Sequence, residues 1–202
     1  KRVIPAATVN GAEEGVRLAE ALLEAGLDII EITFRTEAAA EAIKAITEKF
    51  PEMLVGAGTV LETEQLKRAI DSGIAFGVAP GLNEKLVEAA AGLGMPFVPG
   101  VMTPSEIDRA IRMDCNLLKF FPAEAMGGAR TLKAFAGPFS HTGVKFVPTG
   151  GVSPSNAPGY LELAVVAAVG GSWMVKKDLV AGGKWKEITK LSREALELAA
   201  TG

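Results

Sequence analysis

The sequence predicts an α/β fold, a single (β/α)8 TIM barrel spanning residues 1–202. Three observations carry this expectation. About eight short apolar runs alternate with helical patterns, the signature of strand–helix units on a parallel sheet. The runs are almost continuously apolar, as strands covered by helices are. The units fit into 202 residues with no composition break, linker or low-complexity tract. An open doubly wound sheet is the alternative, but it usually has fewer strands at this length.

The first strand is the β-prone run 3–9, demoted slightly by Pro5, which cannot donate to a ladder. Asn10-Gly11 is a turn signal. Over 12–25 the spacing becomes helical, with Val16, Ala19, Leu22 and Leu23 on one stripe, and Gly26 stops it. Strands then fall at 28–33, 53–58, 75–79 and 96–99, with helices at 37–50, 62–72 and 83–91 between them. Asn83 suits the N-cap of the last of these. Thr103-Pro104-Ser105-Glu106 starts the next helix: Thr103 caps, Pro104 takes the first helical position and Glu106 completes a capping box. A strand at 116–121, a helix at 128–136, a strand at 144–148, a short helix at 154–161, a strand at 164–169 and an amphipathic helix at 184–200 complete the order.

Composition narrows the function. About half the residues are apolar, so the chain can bury a core. A net charge of −3 with both signs interspersed argues against nucleic-acid and anionic-membrane partners. One cysteine, Cys115, and one histidine, His141, exclude a disulfide framework and argue against a metal centre on His or Cys ligands. Composition alone leaves a carboxylate-bound Mg2+ open, and the expected cofactor is none. The longest apolar run, around 163–169, is too short to cross a bilayer, and the start does not read as a signal peptide. The expected compartment is the reducing cytoplasm.

The strand at 116–121 holds the least comfortable residue of the chain. Its parity sets Leu117, Lys119 and Phe121 on one face and Leu118 and Phe120 on the other. An unpaired ammonium in such a run is costly. Either the amine reaches water or it loses its proton, and a neutral amine is a nucleophile. The other lysines mostly lie on helix faces or in loops, and Lys145 stands near the start of its strand.

In a barrel the C-terminal strand ends form the active face. The second strand places Ile29, Glu31 and Thr33 together, so Glu31 is a carboxylate among isoleucines. It reads as a general acid/base or as a structural partner of Arg35 or Lys119. The third strand ends Gly56-Ala57-Gly58-Thr59, where small residues let a ligand approach the backbone. The seventh and eighth end in Thr149-Gly150-Gly151 and Gly170-Gly171-Ser172. Paired glycines after these two strands match where barrels hold phosphate, with backbone N–H groups aimed at the anion.

These stretches resemble a known family. Glu31-Ile32-Thr33-Phe34-Arg35-Thr36, Gly56-Ala57-Gly58-Thr59-Val60, Pro99-Gly100-Val101-Met102-Thr103, Leu118-Lys119-Phe120-Phe121-Pro122-Ala123-Glu124, Pro148-Thr149-Gly150-Gly151 and Gly170-Gly171-Ser172-Trp173 look like the motifs of bacterial 2-keto-3-deoxy-6-phosphogluconate (KDPG) aldolases, which also act on 4-hydroxy-2-oxoglutarate (KHG). The resemblance runs from Val3 to the last helix. It implies a homotrimeric class I aldolase, a carbon–carbon lyase acting on a 2-keto acid without a metal. It makes Lys119 the Schiff-base lysine and Glu31 the acid/base. Arg35, Thr59, Pro80 and Phe121 would line the pyruvyl pocket, and Thr149, Gly150, Gly151, Gly171 and Ser172 the phosphate end. Three departures stand out. Family members usually carry a short helix before the first strand, and this sequence opens at the strand. Thr8 stands where some carry a phosphate-binding arginine. Ala79 stands where a serine is common before Pro80-Gly81. Two other readings keep these residues: a phosphate-binding isomerase or decarboxylase on the same fold, and a catalytically idle trimeric scaffold.

Overall fold

A computed structural model describes residues 1–200. The elements follow in the order β1 (Val3–Ala7), α1 (Ala12–Ala25), β2 (Ile29–Thr33), α2 (Ala39–Lys49), β3 (Leu54–Gly58), α3 (Thr63–Asp71), β4 (Phe76–Val78), α4 (Glu84–Gly92), β5 (Phe97–Val98), β6 (Gly100–Val101), α5 (Pro104–Arg112) and β7 (Leu117–Phe120). Then come α6 (Gly128–Phe139), β8 (Lys145–Pro148), α7 (Ala157–Leu161), β9 (Val169–Gly171), α8 (Lys177–Ala181) and α9 (Trp185–Ala200). The capping residues behave as their chemistry requires. Asn83 accepts from the Leu86 N–H, and Thr103 and Glu106 close a reciprocal capping box.

The expected closed (β/α)8 barrel is not what the strands form. They pair in two parallel sheets, one of six strands in the order β5-β4-β3-β2-β1-β9 and one of three in the order β6-β7-β8. Two local features break the ladder. Pro99 has no N–H to donate: the strand expected at 96–99 ends at Val98 as β5, and β6 starts beyond the proline at Gly100, the two pairing on different sides. At the other junction the run expected at 164–169 opens in a turn at 164–165 and becomes strand only at Val169. The Val166 N–H folds back on Leu163 O at 2.8 Å, and only the isolated bridges Phe146–Val166 and Thr149–Gly170 connect β8 with the β9 region. The ladder with β1 begins at Val169, opposite Val3. Val165 and Val166 are apolar because they are buried, not because they are strand.

The buried stripe of α1 also differs from the expected one. It consists of Gly15, Leu18, Ala19, Ala21, Leu22 and Ala25, while Val16 and Leu23 are only partly buried. Gly15 is the reason. A Cβ there would lie 3.0 Å from Ala42 Cβ, so α1 rides against α2 on its glycine and a hydrophobicity count misses the contact point. The short α8 has too few residues to show a period and was not expected. No described helix is long and apolar enough to cross a membrane.

What matters for the site is which strand face looks away from the helices. On β1, Val3, Pro5 and Ala7 are buried outward, leaving Ile4, Ala6 and Thr8 on the inner face. The registers set Ala6 beside Glu31, Glu31 beside Gly56, and Lys119 between Gly100 and Val147. The inner faces of the two sheets thus carry the polar residues of the strand interiors, while Phe120 and Phe146 are fully buried on the helix side.

Candidate active site

Lys119 and Glu31 are 88 positions apart in sequence and meet between the two sheets. Lys119 Nζ donates to Glu31 Oε1 at 3.2 Å, and the residues are 6% and 4% exposed. That exposure decides between the readings open at sequence level: the amine does not escape to water but is paired. The same ammonium stands 5.5 Å from the centre of the Phe121 ring. Gly58 makes room for the pair, because any Cβ at that position would overlap the Glu31 carboxylate. Gly56 similarly makes room for the Phe76 ring. The glycines of the third strand therefore serve side chains of the neighbouring strands.

The pair separates two cavities of about 200 Å³ each. The one on the side of the strand starts is apolar, walled by Ile4, Ile29, Phe76, Val98, Leu117 and their neighbours. The other lies at the C-terminal strand ends. It brings together Glu31, Arg35, Thr59, Pro80, Lys119, Phe121, Thr149, Gly150, Gly151, Gly171 and Ser172, the residues to which the family resemblance gives site roles, and adds Ala6, Thr33 and Val152. Its ionisable walls are Lys119, Arg35 and Glu31, two cations and one carboxylate, which favours an anionic occupant. Thr59 adopts φ = +57°, a left-handed conformation that a β-branched residue holds only at a cost of roughly 1–3 kcal/mol.

Arg35 is held by two hydroxyls. Its Nε donates to Thr33 Oγ1 at 3.1 Å and its Nη2 to Thr8 Oγ1 at 2.8 Å, and the two hydroxyls are themselves 2.9 Å apart. Thr8, where some members of the resembled family carry arginine, thus serves to orient Arg35. Parity sets Thr33 on the face of Glu31 without giving it a role; the structure makes it a tether of Arg35.

The paired glycines form a tight turn, with Gly150 at φ = +96° and Gly151 at φ = +78°. Its carbonyls point away from the cavity: Thr149 O accepts from Ala123 N at 2.8 Å, Gly150 O from Glu124 N at 3.0 Å and Gly151 O from Asn156 Nδ2 at 3.0 Å. The N–H groups of Gly151 and Val152 have no partner among the described residues. Such a row of outward carbonyls and unengaged N–H groups makes a concavity for an anion. Trp173, which sequence left as wall or core, packs its ring against Gly171 and belongs to the core. Cys115 is buried, His141 is exposed, and neither lines the cavity. Lys145 is an exposed strand-start lysine bonded to Ala164 O at 2.7 Å. Among the described residues no cluster of three or more His, Cys, Asp or Glu side chains is placed to hold a metal ion.

Known proteins share this arrangement of sequence. The profile of the family described as "Aldolase: KDPG and KHG aldolase" matches residues 1–191. The KHG/KDPG aldolase of Escherichia coli (strain K12) is 46% identical over 195 residues, covering 96% of this chain and 91% of its own. The structure of KDPG aldolase from Legionella pneumophila, with pyruvate captured as a covalent carbinolamine, superposes with a TM-score of 0.92 at 39% identity, covering 96% of this chain and 93% of that one. The Zymomonas mobilis ZM4 KDPG aldolase, solved with 3-phosphoglycerate, gives 0.87 at 39% identity, covering 96% and 90%.

Proposed function

Since the chain belongs to the KDPG and KHG aldolase family, we propose that Lys119 is the Schiff-base lysine of a class I aldolase and that Glu31 is its acid/base. The enzyme is an aldehyde-lyase. It cleaves KDPG to pyruvate and glyceraldehyde 3-phosphate, or KHG to pyruvate and glyoxylate. The observation that carries the assignment of residues is the buried pair itself: an amine 3.2 Å from a carboxylate, both facing a cavity with Arg35 and the double-glycine turns on its rim.

The reaction follows from what each group can do. Passage of the Lys119 proton to Glu31 along their hydrogen bond frees the amine lone pair. The amine adds to the C2 ketone, giving a carbinolamine, and its hydroxyl leaves as water by taking the proton from Glu31, giving an iminium. Glu31, ionised again, takes the proton of the C4 hydroxyl. The C3–C4 bond breaks, its electrons move into the iminium to give the enamine, and the aldehyde leaves. Protonation at C3 and hydrolysis release pyruvate and restore the amine. The iminium supplies the electron sink that a metal ion gives elsewhere. Arg35, fixed at Thr8 and Thr33, presents its remaining N–H groups to the substrate carboxylate. Thr59, Pro80 and Phe121 shape the pyruvyl pocket, and Thr149, Gly150, Gly151, Gly171 and Ser172 take the phosphate end. The reading extends to a homotrimer working in the cytoplasm.

The order of substrates tests it. kcat/KM measured side by side on KDPG and KHG is expected to favour the phosphorylated acid, because the Gly151 and Val152 N–H groups add contacts that only a terminal phosphate uses. A clear preference for KHG would remove the phosphate end from this account.

A further inference from the structure

Glu124 ends the motif that begins at Leu118, yet it does not line the cavity. It touches the double-glycine turn in two ways. Its backbone N–H donates to Gly150 O at 3.0 Å. Its side-chain stem lies under Gly151, where a Cβ would come 2.6 Å from Glu124 Cβ. The carboxylate then turns away from the cavity. It accepts from the Tyr160 hydroxyl and sits beside Gly128, the first residue of α6, where the helix dipole favours a negative charge.

Tyr160 is a firm post. It is fully buried in α7 among core side chains. Burial first, and Glu124 second, push its hydroxyl pKa above the ordinary tyrosine value, in keeping with the hydroxyl donating to Glu124. The same α7 segment holds the far side of the turn, because Asn156, the residue before Ala157, donates to Gly151 O and accepts from Ser153 N. The turn is therefore pinned from one side by residues 123–124 and from the other by Asn156, with the Tyr160–Glu124 bond tying the two supports together. Without that bond the carboxylate is free to swing back beside Gly151, where it would repel an incoming phosphate.

We propose that Tyr160 and Glu124 form a positioning pair that sets the Gly150–Gly151 turn and, by holding the Glu124 carboxylate off the cavity, sets the enzyme's discrimination in favour of substrates with a terminal phosphate. This rests on the reading of the turn as the phosphate end. Neither residue touches substrate, so both act through Gly151 and Val152.

The test compares wild type with Tyr160→Phe, which deletes one oxygen and keeps the ring, and with Glu124→Ala, which removes the acceptor from an exposed position. kcat/KM is measured on KDPG and on KHG, together with inhibition by inorganic phosphate and Tm. In Tyr160→Phe, where the released carboxylate stays in place, the KDPG-to-KHG ratio is expected to fall on the order of tenfold, through KM for the phosphorylated acid, with weaker phosphate inhibition; in Glu124→Ala, which removes the carboxylate and keeps the backbone bond to Gly150, the fall is expected to be smaller. Glu124→Gln keeps an acceptor for Tyr160 and is expected to retain most of the ratio. A wild-type preference left intact in Tyr160→Phe, a ratio that falls further in Glu124→Ala than in Tyr160→Phe, or a loss of both activities in step with Tm, overturns the positioning role while leaving the phosphate end standing. A wild type that neither prefers KDPG nor is inhibited by phosphate removes the phosphate end, and the positioning role with it.

Discussion

Replacing Lys119 by methionine is expected to lower kcat by on the order of 10⁴–10⁶-fold, the scale on which loss of a covalent nucleophile is felt. Methionine keeps the length and apolar stem of the side chain and removes the only group that can form the imine. The substitution has a second consequence. Glu31 would remain buried opposite a thioether, and breaking a buried ion pair by removing one partner costs about 3–5 kcal/mol. Part of that cost is relieved when the orphaned carboxyl takes up a proton. A lower Tm alone would therefore make the loss of turnover ambiguous. The double variant Lys119→Met/Glu31→Gln separates the effects: it leaves no uncompensated charge, so Tm is expected to recover relative to Lys119→Met, while turnover stays absent. Steady-state assay and thermal melts on both variants check this. Turnover within tenfold of wild type in either one contradicts the nucleophile assignment.

Glu31→Gln alone is expected to cost about 10²–10⁴ in kcat, the usual worth of a positioned acid/base. The amide fills the same space and its carbonyl can still accept from Lys119, but it cannot take the C4 hydroxyl proton. Among the described residues Lys119 makes no other ion pair, so some loss of stability accompanies the change. The loss of turnover should lie in cleavage rather than in capture: the variant is expected to form the pyruvate imine still, more slowly. Near wild-type kcat would remove the acid/base role. Loss of imine formation together with turnover would show that Glu31 serves only to free the lysine amine.

The site was more legible in the sequence than the closure of the sheet was. Lys119 announced itself because a cation in an apolar strand demands an explanation, and parity brought Glu31 and Thr33 to one face. Pro104, Thr103 and Asn83 marked helix starts because caps are local chemistry. What failed was non-local. Counting eight apolar runs does not reveal that the strand path breaks between two sheets at Pro99, or that the run 164–169 opens in a buried turn. Gly15 carries no hydrophobic signal although it sets the approach of α1 to α2. The Tyr160–Glu124 bond joins residues 36 apart, and no spacing rule pairs them. The Arg35 tether depends on Thr8, which reads in sequence as a small strand residue.

The central claim is that the Lys119 amine forms the covalent link to the keto acid. The most direct measurement is reduction with borohydride in the presence of pyruvate, followed by peptide mass spectrometry. The expected result is a single stable pyruvyl adduct on the peptide containing Lys119, absent without pyruvate and absent in Lys119→Met. An adduct confined to another lysine, or no adduct from an enzyme that turns over, would contradict it.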